Sequence, residues 1–274
     1  MAAKKVTVKN LKKQRWAVIV AAVLALGMIV SLVGSFIIQA VGGGDPLLPE
    51  QQINQQAEPQ PEDYLDYYRS EVERLDEYLA GNEPTEAILL EQINNYRYLG
   101  FIQQMFFEDE EAFESSQESI SSLLDTLVEI APGNAEYRYE LIGNYIDTGA
   151  DEEAIKTEIV VLLDLLHEEF NPRVHLALVN LLASNGYEEM VVAEVEWLEN
   201  LLNAKYESGE ADNEESFYYA LLIGEYLEKR DDAMKILKEI LQDEPEDSMI
   251  YQDAASYLDY LETDSAEVEE LPDQ

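Results

Sequence analysis

The stretch Asn134–Ile155, NAEYRYELIGNYIDTGADEEAI, decides how the chain folds. It begins after the break Pro132-Gly133-Asn134, carries Leu141 and Tyr145 at helical spacing, and is broken again at Gly149 before apolar residues resume at Ala154 and Ile155. A helix, a tight break and a second helix follow from that pattern. The same alternation extends outward in both directions. Leu65, Tyr68, Val72, Leu75 and Leu79 mark one face of an earlier helix that stops near Gly81-Asn82. Pro84 then begins another in a favoured first-turn position, with Ile88, Leu89, Ile93, Tyr96, Leu99, Gly100 and Phe106 as its apolar surface. Breaks at Asn171-Pro172, Asn185-Gly186, Ser208-Gly209 and Pro245 cut the remainder into helices of roughly four or five turns. No stretch alternates with the period of a strand, so the expected class is all-α.

The regular breaks suggest repeats. Leu141, Tyr145, Gly149 and Ala154 fall at the Leu, Tyr, Gly and Ala signature positions of the tetratricopeptide repeat, and Glu152-Glu153-Ala154-Ile155 resembles its second-helix start. Ala233, Leu237, Ile240 and Pro245 repeat the second half of that pattern, behind a leading helix Phe217–Lys229 with Leu222 and Tyr226. The unit Pro172–Leu202 keeps Leu178, Leu182 and Gly186 but loses the small residue of its second helix. The unit Pro84–Ala131 keeps Leu99-Gly100 in longer helices. The resemblance runs from about Pro84 to Tyr260, and several helices exceed the strict period. It implies a right-handed α–α superhelix of divergent tetratricopeptide-like helix pairs over residues 62–261. Stacked pairs bury stripes that one pair leaves wet. A last helix, Ser248–Leu261, caps the stack, and the acidic tail 262–274 is expected to be disordered.

Charge and hydropathy divide the N-terminal part. Lys4, Lys5, Lys9, Lys12, Lys13 and Arg15 form a basic stub, 1–15, ahead of an uncharged run, 16–41. That run exceeds the ~20 residues needed to cross a bilayer as a helix, and the ~7–15 of a signal-peptide core. Basic residues on one flank favour a cytoplasmic N-terminus and an exported remainder, so the expected address is the cell membrane, single-pass. Ala17, Ala21 and Ala25, and Gly27, Ser31 and Ser35, have the spacing that permits membrane helices to pair. Residues 42–61, rich in Gln, Pro, Asn and Glu after a Gly triplet, read as a linker.

All 58 acids follow the run, against 11 of the 17 basic residues, so the exported part carries about −47 where the whole chain carries −41. A field of that sign excludes nucleic acid as a partner and repels anionic lipid. With no Cys there is neither a disulfide framework nor thiol chemistry. His167-Glu168 begins like a zinc-protease helix, but Asn171 and Pro172 stand where the second His belongs. No phosphate loop, nucleophile elbow or calcium loop is present in the sequence. The acid run Glu108–Glu111 suits a helix start, where carboxylates meet the positive end of the dipole.

No enzyme, cofactor or metal is therefore expected. Tyr, with 17 copies, is expected in the core for the most part and in recognition for the rest. His175 falls at a large-residue position, which favours a core or inter-helix role. In the tetratricopeptide alignment the first helix of each pair lines a groove. The resemblance places Tyr139, Gly143, Asn144 and Ile146 there, with His175, Asn180 and Tyr219 as further candidates. Those helices hold few bases (Arg138 alone in the second unit), so an acidic peptide is not the expected ligand. The plan is similar to envelope tetratricopeptide proteins that assist secretion. It implies a membrane-anchored scaffold or adaptor for a protein partner outside the cytoplasm. Self-association as a structural envelope protein and a divalent-cation-responsive domain are the other two readings.

Overall fold

The computed structural model describes residues 60–269. Among them the chain is all helical, with ten α-helices and no strand: α1 (Pro61–Gly81), α2 (Glu86–Phe107), α3 (Glu110–Ile130), α4 (Ala135–Thr148), α5 (Glu152–Glu168), α6 (Pro172–Ser184), α7 (Glu188–Ser208), α8 (Asn213–Glu225), α9 (Arg230–Asp243) and α10 (Met249–Glu269). None is long and apolar enough to cross a membrane. The expected stub 1–15, the span 16–41 and the linker up to residue 59 lie outside the described residues, as do 270–274.

Local chemistry sets the boundaries. Asn134, Asp109, Asn171 and Asp212 cap α4, α3, α6 and α8, each accepting from backbone N–H groups of the first turn that have no intrahelical partner. At the end of α4, Gly149 adopts φ 69°, and the Ala150 N–H returns to the Tyr145 carbonyl at 2.9 Å. Glycine reaches this left-handed conformation without a Cβ penalty. The acid run falls at a helix start as expected: α2 ends at Phe107, Glu108 turns left-handed, and Asp109 caps α3.

Two boundaries differ from the sequence reading. Pro84 sits before the cap of α2 rather than in its first turn, because Thr85 takes the capping position and Glu86 is the first helical residue. The last helix continues through Glu269 instead of ending at Leu261. Between Glu262 and Glu269 there is neither Gly nor Pro to stop it, and the next breaker is Pro272.

The chain divides into two compact units after His167. In the first, α1 packs on α2, α2 on α3 and α3 on α4. Leu89, Ile93, Ile120, Leu124, Leu127, Val128 and Leu141 form the common core of α2, α3 and α4, against which Leu79 of α1 packs. Tyr137 of α4 donates to Glu86 of α2, and Arg97 of α2 pairs with Glu140 of α4 at 2.7 Å, so alternate helices are also joined. Arg138, buried, pairs with Glu158 and ties α4 to α5.

Helices α2 and α3 approach closely at Gly100. A Cβ there would lie 3.2 Å from Ser116 Cβ and 3.3 Å from the Phe113 ring. Gly100→Val is therefore expected to lower stability by about 1–3 kcal/mol through overpacking. Gly143→Ala, whose Cβ meets nothing within 4 Å, is expected to raise it by about 0.5–1 kcal/mol. Urea unfolding followed by circular dichroism measures both; equal effects at the two sites would contradict the packing difference.

In the second unit each helix from α6 to α10 packs on the next, and α8 also touches α6 and α10. Its core is made by Val179, Leu198, Leu202, Leu222, Ile223, Leu237, Ile240 and Ala254, with Ala233 admitting close approach of α9. Fully burying each such aliphatic side chain contributes about 1.5–3 kcal/mol.

Candidate functional site

Of the seven expected groove residues, Tyr139, Gly143, Asn144 and Ile146 stand on α4 of the first unit. His175 and Asn180 on α6, and Tyr219 on α8, belong to the second. Three of them are interior. His175 is 0% exposed; its Nε2 lies 2.9 Å from Glu194 Oε2 and its ring stacks on Trp197 at 5.0 Å. Tyr219 is buried and donates to Asn203 Oδ1 at 2.6 Å. Asn144 is buried between α3 and α4, accepting from Ser121 and donating to Gln117 Oε1 at 3.0 Å. These three side chains are spent on neighbouring helices and do not present themselves to a ligand. Tyr139 and Ile146 are half-buried, and Gly143 faces open space. Asn180 is exposed and accepts from the Tyr226 hydroxyl.

The tyrosines explain where much of the polar surface goes. Among the described residues, five phenols each donate to a carboxylate on another helix. Tyr96 binds Asp76 at 2.8 Å, Tyr257 binds Glu225 at 2.8 Å, and Tyr137, Tyr145 and Tyr206 bind Glu86, Asp125 and Glu239. Burial first, and the adjacent carboxylate second, push all five phenol pKa values above the ordinary 10, Tyr206 to about 12. A charged acceptor makes such a bond stronger than one between neutral groups. These rings are clasps between helices.

What stays open is an aromatic face on the first two helices. Tyr98, Phe101 and Met105 recur at i, i+3 and i+7 on α2 and so share one side of it. They are 52%, 53% and 61% exposed, and Phe106 beside them is 57% exposed. Phe106, expected on the apolar surface that packs inward, is thus turned to solvent. On α1, Tyr68 stacks on Tyr98 at 5.0 Å, and Tyr67 meets Tyr68 edge-on at 5.1 Å. The exposed apolar area is on the order of 500 Å², which is at the upper range of patches on ordinary monomers and marks interaction sites.

The sequence did carry a signal for this face. From Tyr98 to Phe107 only two positions, Gln103 and Gln104, are polar, so α2 is apolar on more than the side that α1 and α3 cover. A helix apolar all round is either fully buried or offers a second surface.

The chemistry this face offers is recognition: flat rings and a pliant thioether, with large contact area at small conformational cost. The chain matches no protein-family model and no curated protein.

Proposed function

We propose that the chain is a membrane-anchored adaptor, held by residues 16–41 with its N-terminus in the cytoplasm, whose helical domain binds a protein partner outside it. In this reading the helices are tetratricopeptide-like pairs stacked into a right-handed superhelix, and the domain binds without catalysing a reaction. The packing of α1 to α4 and of α6 to α10, each helix on the next, together with the alternate-helix contacts α2–α4, α6–α8 and α8–α10, supports the repeat reading. The observation that carries the binding function is the exposed face of Tyr98, Phe101, Met105 and Phe106. Anchoring raises the effective concentration of the domain near membrane-bound or newly exported clients without adding a contact. Assistance to envelope secretion or assembly is the role such a design suits.

The test is crosslinking of the full-length protein in its native membrane. A discrete partner captured by the intact chain, and reduced at least tenfold by Phe101→Ser with Met105→Ser, is the expected result. Loss of these two exposed side chains is expected to leave the thermal midpoint unchanged within about 2 °C. Crosslinks only between copies of this chain would instead support self-association.

A further inference from the structure

The segment that carries the aromatic face is acidic. From Gln60 to Glu111 the chain holds 14 Asp and Glu against three Arg. The three arginines are already engaged: Arg69 with Asp66, Arg74 with Glu71 and Glu91, and Arg97 with Glu140. At one end of the face Phe106 runs into Glu108-Asp109-Glu110-Glu111. An occupant must therefore supply apolar groups for the rings and positive charge for the acid run.

We infer that this face takes a basic amphipathic segment of the partner, with apolar side chains seated on Tyr98, Phe101 and Met105 and Lys or Arg extending to the acid run Glu108–Glu111. The inference rests on the adaptor reading and names the chemistry of its ligand. A second copy of this chain would bring its own acid run to the same place, where like charges repel. An anionic membrane surface is disfavoured for the same reason. An acidic or purely apolar segment would leave the acid run unanswered. Helical spacing on α2 matches a helix laid alongside it, with anchors at i, i+3 or i+4, and i+7.

The experiment places a photo-crosslinking p-benzoylphenylalanine at Phe101 of the full-length chain in native membranes, and separately at Asn180. The adduct from Phe101 is expected to map to a partner segment with apolar residues flanked by Lys or Arg. Its yield should fall several-fold between about 50 mM and about 500 mM NaCl. Reversing the acid run with Glu110→Lys and Glu111→Lys should lower it comparably. An adduct at Phe101 that maps to lipid, to this chain or to an acidic segment overturns the inference, as does a yield indifferent to salt and charge reversal. A protein adduct at Asn180 without one at Phe101 overturns it while the adaptor reading stands. No protein adduct at either position ends both.

Discussion

Between about pH 10 and about 12 the domain is expected to lose stability steeply. The five clasping phenols hold their protons more tightly folded than unfolded. In the unfolded chain they ionise near the ordinary value of about 10. A group whose folded pKa is raised contributes stability that is fully present below the unfolded pKa and is lost as pH climbs through the folded one. The window thus opens near pH 10, and for Tyr206 it closes at about 12. Ionising a phenol beside the carboxylate that accepts its proton also replaces a hydrogen bond with two like charges. Urea midpoints taken across this range, with tyrosinate absorbance read in parallel, test the expectation. The part of the tyrosinate signal that Tyr206→Phe with Tyr257→Phe removes should appear together with unfolding rather than before it. Ionisation of that part in a chain that keeps its helicity would contradict the clasps, and the same two substitutions should make the fall less steep.

The second large effect is at His175. His175→Leu keeps an apolar side chain against Trp197 but removes one of the partners, 2.9 Å away, of a Glu194 side chain only 9% exposed. Removing one member of a buried pair typically costs about 3–5 kcal/mol. A loss near the lower end is expected, since the carboxylate keeps some access to water. The double variant His175→Leu with Glu194→Leu should recover most of it, because replacing both members of a buried pair by apolar groups is often near neutral. A thermal midpoint equally low in single and double variants would show that the imidazole matters for its shape and not for the acid. Thermal melts of the three proteins complete the cycle.

The contrast between these two sites shows what the residues disclosed in advance. Helix boundaries were legible because they depend on neighbours in sequence: Pro132-Gly133-Asn134 and Gly149 punctuate the backbone whatever lies across from them. The core position of His175 was legible as well, from its place among large residues. Asn144 and Tyr219 were not. Whether a polar side chain meets solvent or a partner helix depends on how that helix is rotated, and a rotation of one residue position, about 100°, exchanges the two outcomes. Phe106 failed for the related reason that α2 has apolar residues on opposite sides, so periodicity alone gives no unique inward face. The phenol clasps were hidden for another reason. They join residues 20 to 51 positions apart, such as Tyr96 with Asp76 and Tyr137 with Glu86, beyond any local pattern.

Those clasps bear on how the fold answers to salt. With 58 acids against 17 bases, ion pairs such as Arg97–Glu140 and Arg138–Glu158 can reach only a minority of the carboxylates, and phenols serve as neutral staples beside them. Dissolved salt shields the mutual repulsion of the carboxylates over distances beyond about 10 Å, while leaving a donor in direct contact with its acceptor little altered. Ionic strength that would weaken a lysine-stapled domain is thus expected to leave these clasps in place while it screens the carboxylates from one another.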